Sequence, residues 1–196
     1  MSESLKPFQL PLEHADYQYP QARNPYAVRL KEFDVKAFSD SETEAHAGQW
    51  RTEFLDTEPS TPLIVEIGCN TGHVIRAWAE KTPAKRFIGV DWKFKAIHRG
   101  IEKASKKGLK NILFLRANIW RISQIFGREE IDEIHIYCPD PWPTKSTWKK
   151  RFLRRENFPR IHSVLKAGGL LHIKTDHAGY FDWIEESLAG QEADWE

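Results

Sequence analysis

Three acidic residues far apart in the chain, Glu66, Asp91 and Asp140, stand at or near the ends of short apolar runs, each beside a turn-forming stretch. Behind Glu66 comes Gly68-Cys69-Asn70-Thr71-Gly72. Gly68 and Gly72 permit a tight turn and close approach of a ligand to the backbone, and the start of the helix that follows favours the negative end of a ligand. Asp91 lies a little over 20 residues past Gly68, where a carboxylate accepts the ribose hydroxyl protons of an adenosine-type cofactor. The glycine spacing separates cofactors. A dinucleotide site wants G-x-G-x-x-G, the middle glycine clearing room for a pyrophosphate, whereas this turn reads G-x-x-x-G behind an acid. Glu66 suits a ligand with a positive amino-acid portion, such as the sulfonium and ammonium of S-adenosylmethionine. A plain structural turn is the alternative.

Further along, Asn118 can accept from the exocyclic amine of an adenine and donate back, or serve only to cap the helix that begins near Ile119. Cys138-Pro139-Asp140-Pro141-Trp142-Pro143 carries three prolines in five residues. Prolines fix the backbone and push the residues before them to extended conformations, which presents Asp140 rigidly with Trp142 beside it. A carboxylate there can accept from the edge of a base, and an indole can stack on one. Residues 145–155 hold six basic residues and no acid, with Trp148 and Phe152 interleaved. Cations bind phosphates while aromatics stack on bases or cover basic stems. Thr175-Asp176-His177 adds a second carboxylate. His172 and His177 offer no third metal ligand at sensible spacing, so no metal is expected.

The elements that position these groups read as strands and helices in alternation. Residues 63–67, 87–90, 112–115, 134–137 and 170–173 are short apolar runs of the buried-strand type. Residues 73–81 have helical spacing and stop before Pro83, residues 96–107 form an amphipathic helix closed by Gly108, and further helices end near Leu165 and span about 180–188. Alternation with short connections predicts an α/β fold with a doubly wound, mainly parallel sheet. In such a sheet ligands bind beyond the carboxyl ends of the strands, which is where all three acids fall. Residues 1–48 lack sustained periodicity and read as an arm plus a connecting segment; one catalytic-type domain follows at 49–196.

With 196 residues the chain is long enough for one α/β domain and short for two. A formal net charge of +1 means that any nucleic-acid surface must be concentrated on one face. No apolar run approaches the roughly 20 residues of a bilayer span, and no signal-peptide core appears, so a cytoplasmic protein is expected. The two cysteines, Cys69 and Cys138, encode neither a disulfide framework nor a zinc ribbon.

From Gly48 to Leu188 these residues resemble the bacterial tRNA (guanine-N7)-methyltransferases. Glu66-Ile67-Gly68, Ile88-Gly89-Val90-Asp91, Gly168-Gly169 and His172-Ile173-Lys174-Thr175-Asp176 carry the likeness; Pro139-Asp140-Pro141-Trp142-Pro143 with its basic run is the most distinctive part. The resemblance implies a Rossmann-like class I methyltransferase fold and methyl transfer from S-adenosylmethionine to guanine N7 in tRNA, in the variable loop. It places Glu66, Gly68, Gly72, Asp91, Asn118 and Asp140 at the cofactor, and makes Asp140 the catalytic carboxylate. Thr144, Lys145, Trp148, Lys149, Lys150, Arg151 and Asp176 fall on the tRNA side, and the enzyme is expected as a monomer or homodimer. The sequence departs from the pattern in three places. A lysine is usual at Thr144, with Lys145 the nearest substitute, and an acid is usual at Asn118. The family also continues into two further strands with a Thr-x-Phe/Tyr-Glu motif, which this sequence lacks. These departures leave two alternatives: a non-catalytic S-adenosylmethionine- and RNA-binding protein, and a methyltransferase acting on an exocyclic amine. An open sheet edge at the short C-terminal side is expected to be covered by a dimer partner or by the N-terminal arm.

Overall fold

The computed structural model describes residues 10–20, 24–54, 58, 60–191 and 195; the remainder of the N-terminal arm, residues 1–9 and 21–23, lies outside the described residues. Strand β2 (Leu63–Ile67) is fully buried, as its unbroken apolar run requires. Helix α3 (His73–Lys81) follows, then β3 (Arg86–Asp91), α4 (Phe94–Lys106) and β4 (Ile112–Arg116). After a short α5 (Ile122–Ile125) come β5 (Ile131–Tyr137), α6 (Phe158–Val164), β6 (Leu165–Lys174) and α7 (Ala178–Leu188).

Before all of these, α1 (Pro25–Arg29), β1 (Ala37–Ser39) and α2 (Ser41–Ala45) occupy the segment read from sequence as an arm and connection. The six strands form one sheet in the order β1-β4-β3-β2-β5-β6, every pair parallel. The doubly wound, parallel α/β fold is therefore the one expected. Its connections run outward from β2 through β3 to β4, then return across β2 to β5, so the switch in direction lies between β2 and β5. The N-terminal segment supplies β1 to the edge beyond β4, at the opposite side of the sheet from β6, and none of its described residues pairs with β6. Among the described residues β6 remains a sheet edge, its residues alternating between half-buried and exposed along Gly169–Lys174.

Two cores flank the sheet. One gathers Leu63, Val65, Ile88, Leu113, Ile134, Phe158, Tyr180 and Ile184; the other gathers Ile75, Phe87, Ile97, Ile101, Ile112 and Phe114. The alternation of β-strand side chains between faces is what divides them. The N-terminal segment is anchored by Arg121, whose side chain has no exposed surface. Its guanidinium pairs with Glu44 of α2 and donates to the carbonyl oxygens of Leu12 and His14 at 2.7 and 2.6 Å. Tyr19 donates its hydroxyl to the same Glu44 at 2.9 Å. No helix among the described residues is long and apolar enough to cross a membrane.

Candidate active site at the carboxyl ends of the strands

Because all strands run parallel, the turns after β2, β3, β4, β5 and β6 emerge on one edge of the sheet. The register pairs Ile67 with both Val90 and Ile136, which brings the ends of β2, β3 and β5 level. Glu66 and Asp91 thus sit on neighbouring strand ends, and the Asp140 loop leaves the strand on the other side of β2.

Glu66 is 5% exposed and accepts from the Ile75 backbone N–H at 3.1 Å, tying β2 to the first turn of α3. Burial pushes its carboxyl up to about 7, offset only in part by the Ile75 N–H. Among the described residues it has no cationic partner, so a buried acid stands ready for a positively charged ligand. Asp91 is satisfied differently. One oxygen accepts from Asn70 N at 2.9 Å and the other from Lys93 N at 2.8 Å. These two bonds lock the glycine turn to the turn after β3, and each carboxylate oxygen keeps a second lone pair for a hydroxyl.

The two glycines have separate reasons to be glycine. Gly68 has φ +76°, and a Cβ there would meet open space, so the backbone is bare toward the site. Gly72, at φ +64°, is packed against the Phe114 ring, which a Cβ would approach to 2.6 Å. The close approach expected at Gly72 is thus made by the core and not left to a ligand. Asn118 accepts from Trp120 N at 3.1 Å and caps the 3-10 turn Ile119–Arg121. The capping alternative describes its oxygen; its amide nitrogen makes no hydrogen bond among the described residues and stays available to donate.

In the loop after β5 the backbone differs from expectation. Cys138 and Trp142, both followed by proline, have φ of +46° and +43° instead of extended values. Left-handed backbone at non-glycine residues stores strain that surrounding structure must hold. Here the holder is Arg151. Its guanidinium, 2% exposed, donates through Nε to Pro141 O at 2.8 Å and lies 4.6–4.8 Å from the rings of Trp148, Tyr180 and Trp183. Burial lowers its pKa, and burial also raises the Tyr180 hydroxyl to about 12, with Asp140 among the smaller contributors. Asp140 itself is exposed at the rim.

The expected nucleic-acid face is divided by this arrangement. Thr144, Lys145, Lys149, Lys150 and Asp176 are exposed. Lys150 sits 4.6 Å over the Trp142 ring, so the indole expected to stack on a base carries a cation on its face. Trp148 is half-buried against Arg151, and Arg151 faces inward. Arg151 is therefore removed from the phosphate-contacting set, its charge consumed by backbone and aromatic rings. Nothing in a basic run distinguishes a buried arginine from exposed neighbours except the apolar Phe152-Leu153 that follows it.

The sequence reading also passed over Arg116 and Trp92. Arg116 closes β4, pairs with Asp40, donates to Trp92 O at 2.9 Å and lies 3.8 Å over the Trp92 ring, beside Asp91. A cavity of about 360 Å³, lined in part by Phe54, Lys85, Arg86 and Asn111, lies at the opposite, amino ends of the strands and contains none of these acids.

A parallel sheet with a buried acid that has no cationic partner among the described residues, a bare glycine turn and a backbone-locked aspartate at three adjoining places defines a Rossmann-like methyltransferase. A family model described as a putative methyltransferase matches residues 60–193. The chain is 29% identical over 157 residues to a tRNA (guanine-N(7)-)-methyltransferase of Bdellovibrio bacteriovorus, covering 80% of this chain and 75% of that protein. It is 30% identical over 146 residues to the enzyme of the same name from Brevibacillus brevis, covering 74% of this chain and 67% of that one. A solved structure of a putative methyltransferase from Thermoplasma acidophilum aligns with a TM-score of 0.51 at 16% identity, over 66% of this chain and 50% of that one. Across the first relatives matched, the chain spans between 25% and 75% of the relative's own length. The chain belongs to the tRNA (guanine-N7)-methyltransferase family.

Proposed function

We propose that the protein transfers a methyl group from S-adenosylmethionine to N7 of a guanine in tRNA. The observation that carries this is the placement of Glu66, Asp91 and the Asp140 loop at level, adjacent strand ends around the switch between β2 and β5.

The residues fit the cofactor. Glu66, buried and without a cationic partner, would meet its positive amino-acid portion; Asp91 would take the ribose hydroxyls; the bare backbone at Gly68 would admit its close approach; and Asn118 would donate to the adenine. When bound, S-adenosylmethionine supplies an electrophilic methyl group on a positively charged sulfur. The chain's own groups position and stabilise. Guanine N7 carries its own lone pair, so no residue has to remove a proton and none forms a covalent link. Asp140 holds the base, and its charge favours the cation that guanine becomes on methylation. Lys145, Lys149 and Lys150 take phosphates, with Thr144 and Asp176 at the same rim.

The test is transfer of a labelled methyl group to unmodified tRNA, followed by digestion to nucleosides. Label in N7-methylguanosine supports the proposal. Label in an exocyclic amine, or binding of cofactor and tRNA without transfer, refutes it in favour of one of the two alternatives.

A further inference from the structure

A second constellation begins one strand beyond Glu66, where the register sets His135 of β5 opposite it, and runs on to the β6 edge. Glu133 and His135 are two apart on β5 and therefore share one face of the sheet, while the parallel register sets His172 of β6 directly opposite His135. One ligand atom from each of the three lies within 4.8 Å of the other two. The imidazoles of His135 and His172 are stacked, centroids 4.5 Å apart and planes 2° from parallel. Methyl transfer uses none of these side chains. His172 is exposed and makes no hydrogen bond among the described residues, so its imidazole is held by nothing but its neighbour.

We propose that Glu133, His135 and His172 form a zinc site that fastens the edge strand β6 to β5. Two imidazole nitrogens and a carboxylate oxygen are a three-ligand set of the kind zinc takes, with the fourth position left to water. The surroundings match the outer layer such sites require. The Tyr137 hydroxyl lies 2.9 Å from His135 Nδ1 and fixes that ring with Nε2 toward Glu133, 3.1 Å away. A partner on the second ring nitrogen is what orients most metal-bound histidines. Lys85 pairs with Glu133 Oε1 at 3.1 Å, while Oε2 faces His135 Nε2, and zinc would take the place of a proton between the two. Zinc–ligand bonds of about 2.0–2.2 Å need the three atoms drawn closer, and the metal must lie in the plane of each ring. Both require the exposed His172 imidazole to turn out of its stack on His135. The sequence offers no third ligand near His172; in the fold the candidate ligands come from the neighbouring strand.

The experiment is equilibrium dialysis of the chelator-treated full chain against zinc chloride, with metal analysis and thermal melting. One zinc per chain and a rise in Tm are expected. His172→Ala and Glu133→Gln should each abolish stoichiometric retention, and Tyr137→Phe should weaken it by about tenfold or more. His177→Ala and Cys138→Ser, which change metal-binding side chains in the connections after β6 and β5, should leave zinc binding as it is. Absence of bound zinc in the unaltered chain, equal retention by His172→Ala, or loss on Cys138→Ser each overturns the proposal.

Discussion

Arg151 Nε donates to Pro141 O across 2.8 Å, so a buried guanidinium grips the residue immediately after Asp140. The three rings around it, Trp148, Tyr180 and Trp183, leave the cation little freedom. A loop with left-handed backbone at Cys138 and Trp142 is thereby kept in one shape.

Arg151→Lys keeps the charge but loses the planar fork and the stacking. Turnover in methyl transfer is expected to fall at least tenfold while the KM for tRNA and the affinity for S-adenosylmethionine change less than about threefold, because a misplaced Asp140 harms geometry rather than binding. A rise in tRNA KM with unchanged kcat would instead return Arg151 to the phosphate-contacting residues.

Asp140→Asn removes the charge and preserves the shape. A loss on the order of 10²–10³ in kcat is expected, as for removal of one preorganised electrostatic group, with S-adenosylmethionine affinity measured by calorimetry nearly unchanged. Equal losses in both would make Asp140 a binding residue only.

Glu66 gives the protein a pH dependence of known sign. Its carboxyl is raised from 4.5 to about 7 in the fold. The native state therefore holds a proton that the unfolded chain has released, and stability falls as pH rises from about 4.5 to 7, by up to about 3 kcal/mol. Glu66→Gln should be more stable than the parent in denaturant titrations at pH 8 and no different at pH 4. Binding of the cationic cofactor needs the ionised form, so parent affinity should rise about tenfold between pH 6 and pH 8. The Gln variant should show weak, pH-independent binding.

Glu44→Ala leaves the buried Arg121 guanidinium without its carboxylate, held by the Leu12 and His14 carbonyls and the Tyr17 and Tyr19 rings. A destabilisation of about 3 kcal/mol is expected, the usual cost of breaking a buried pair from one side. Limited proteolysis should then cut within residues 10–20, which Arg121 and Tyr19 otherwise hold down. Unchanged protease resistance would mean that the segment is held by other contacts.

Lys149→Ala with Lys150→Ala should weaken tRNA binding uniformly and flatten its salt dependence by about two units of slope, one per lost phosphate contact. An unchanged slope would place the nucleic acid elsewhere.

The strands from Leu63 onward and the glycine turn were readable because buried parallel strands are apolar throughout and end at turns that need glycine. β1 was not readable: Ala37-Phe38-Ser39 is three residues long and becomes a strand only through its pairing with Phe114–Arg116. β6 begins at Leu165, earlier than its apolar stretch, because the strand runs through the Gly168-Gly169 irregularity opposite Ile131 and Glu133. Composition could not show which cation of the basic run turns inward, nor that His135 and His172 meet, since both facts are set by packing across elements.

The pairing of β1 with β4 also dictates an order of assembly. Ala37 finds its partner in Phe114, which follows it by 77 positions. On a ribosome adding about 5–20 residues per second, roughly 4–15 s pass before that partner has been made. Through that interval β1 travels as an unpaired ribbon, and the closing of this side of the sheet waits on β4.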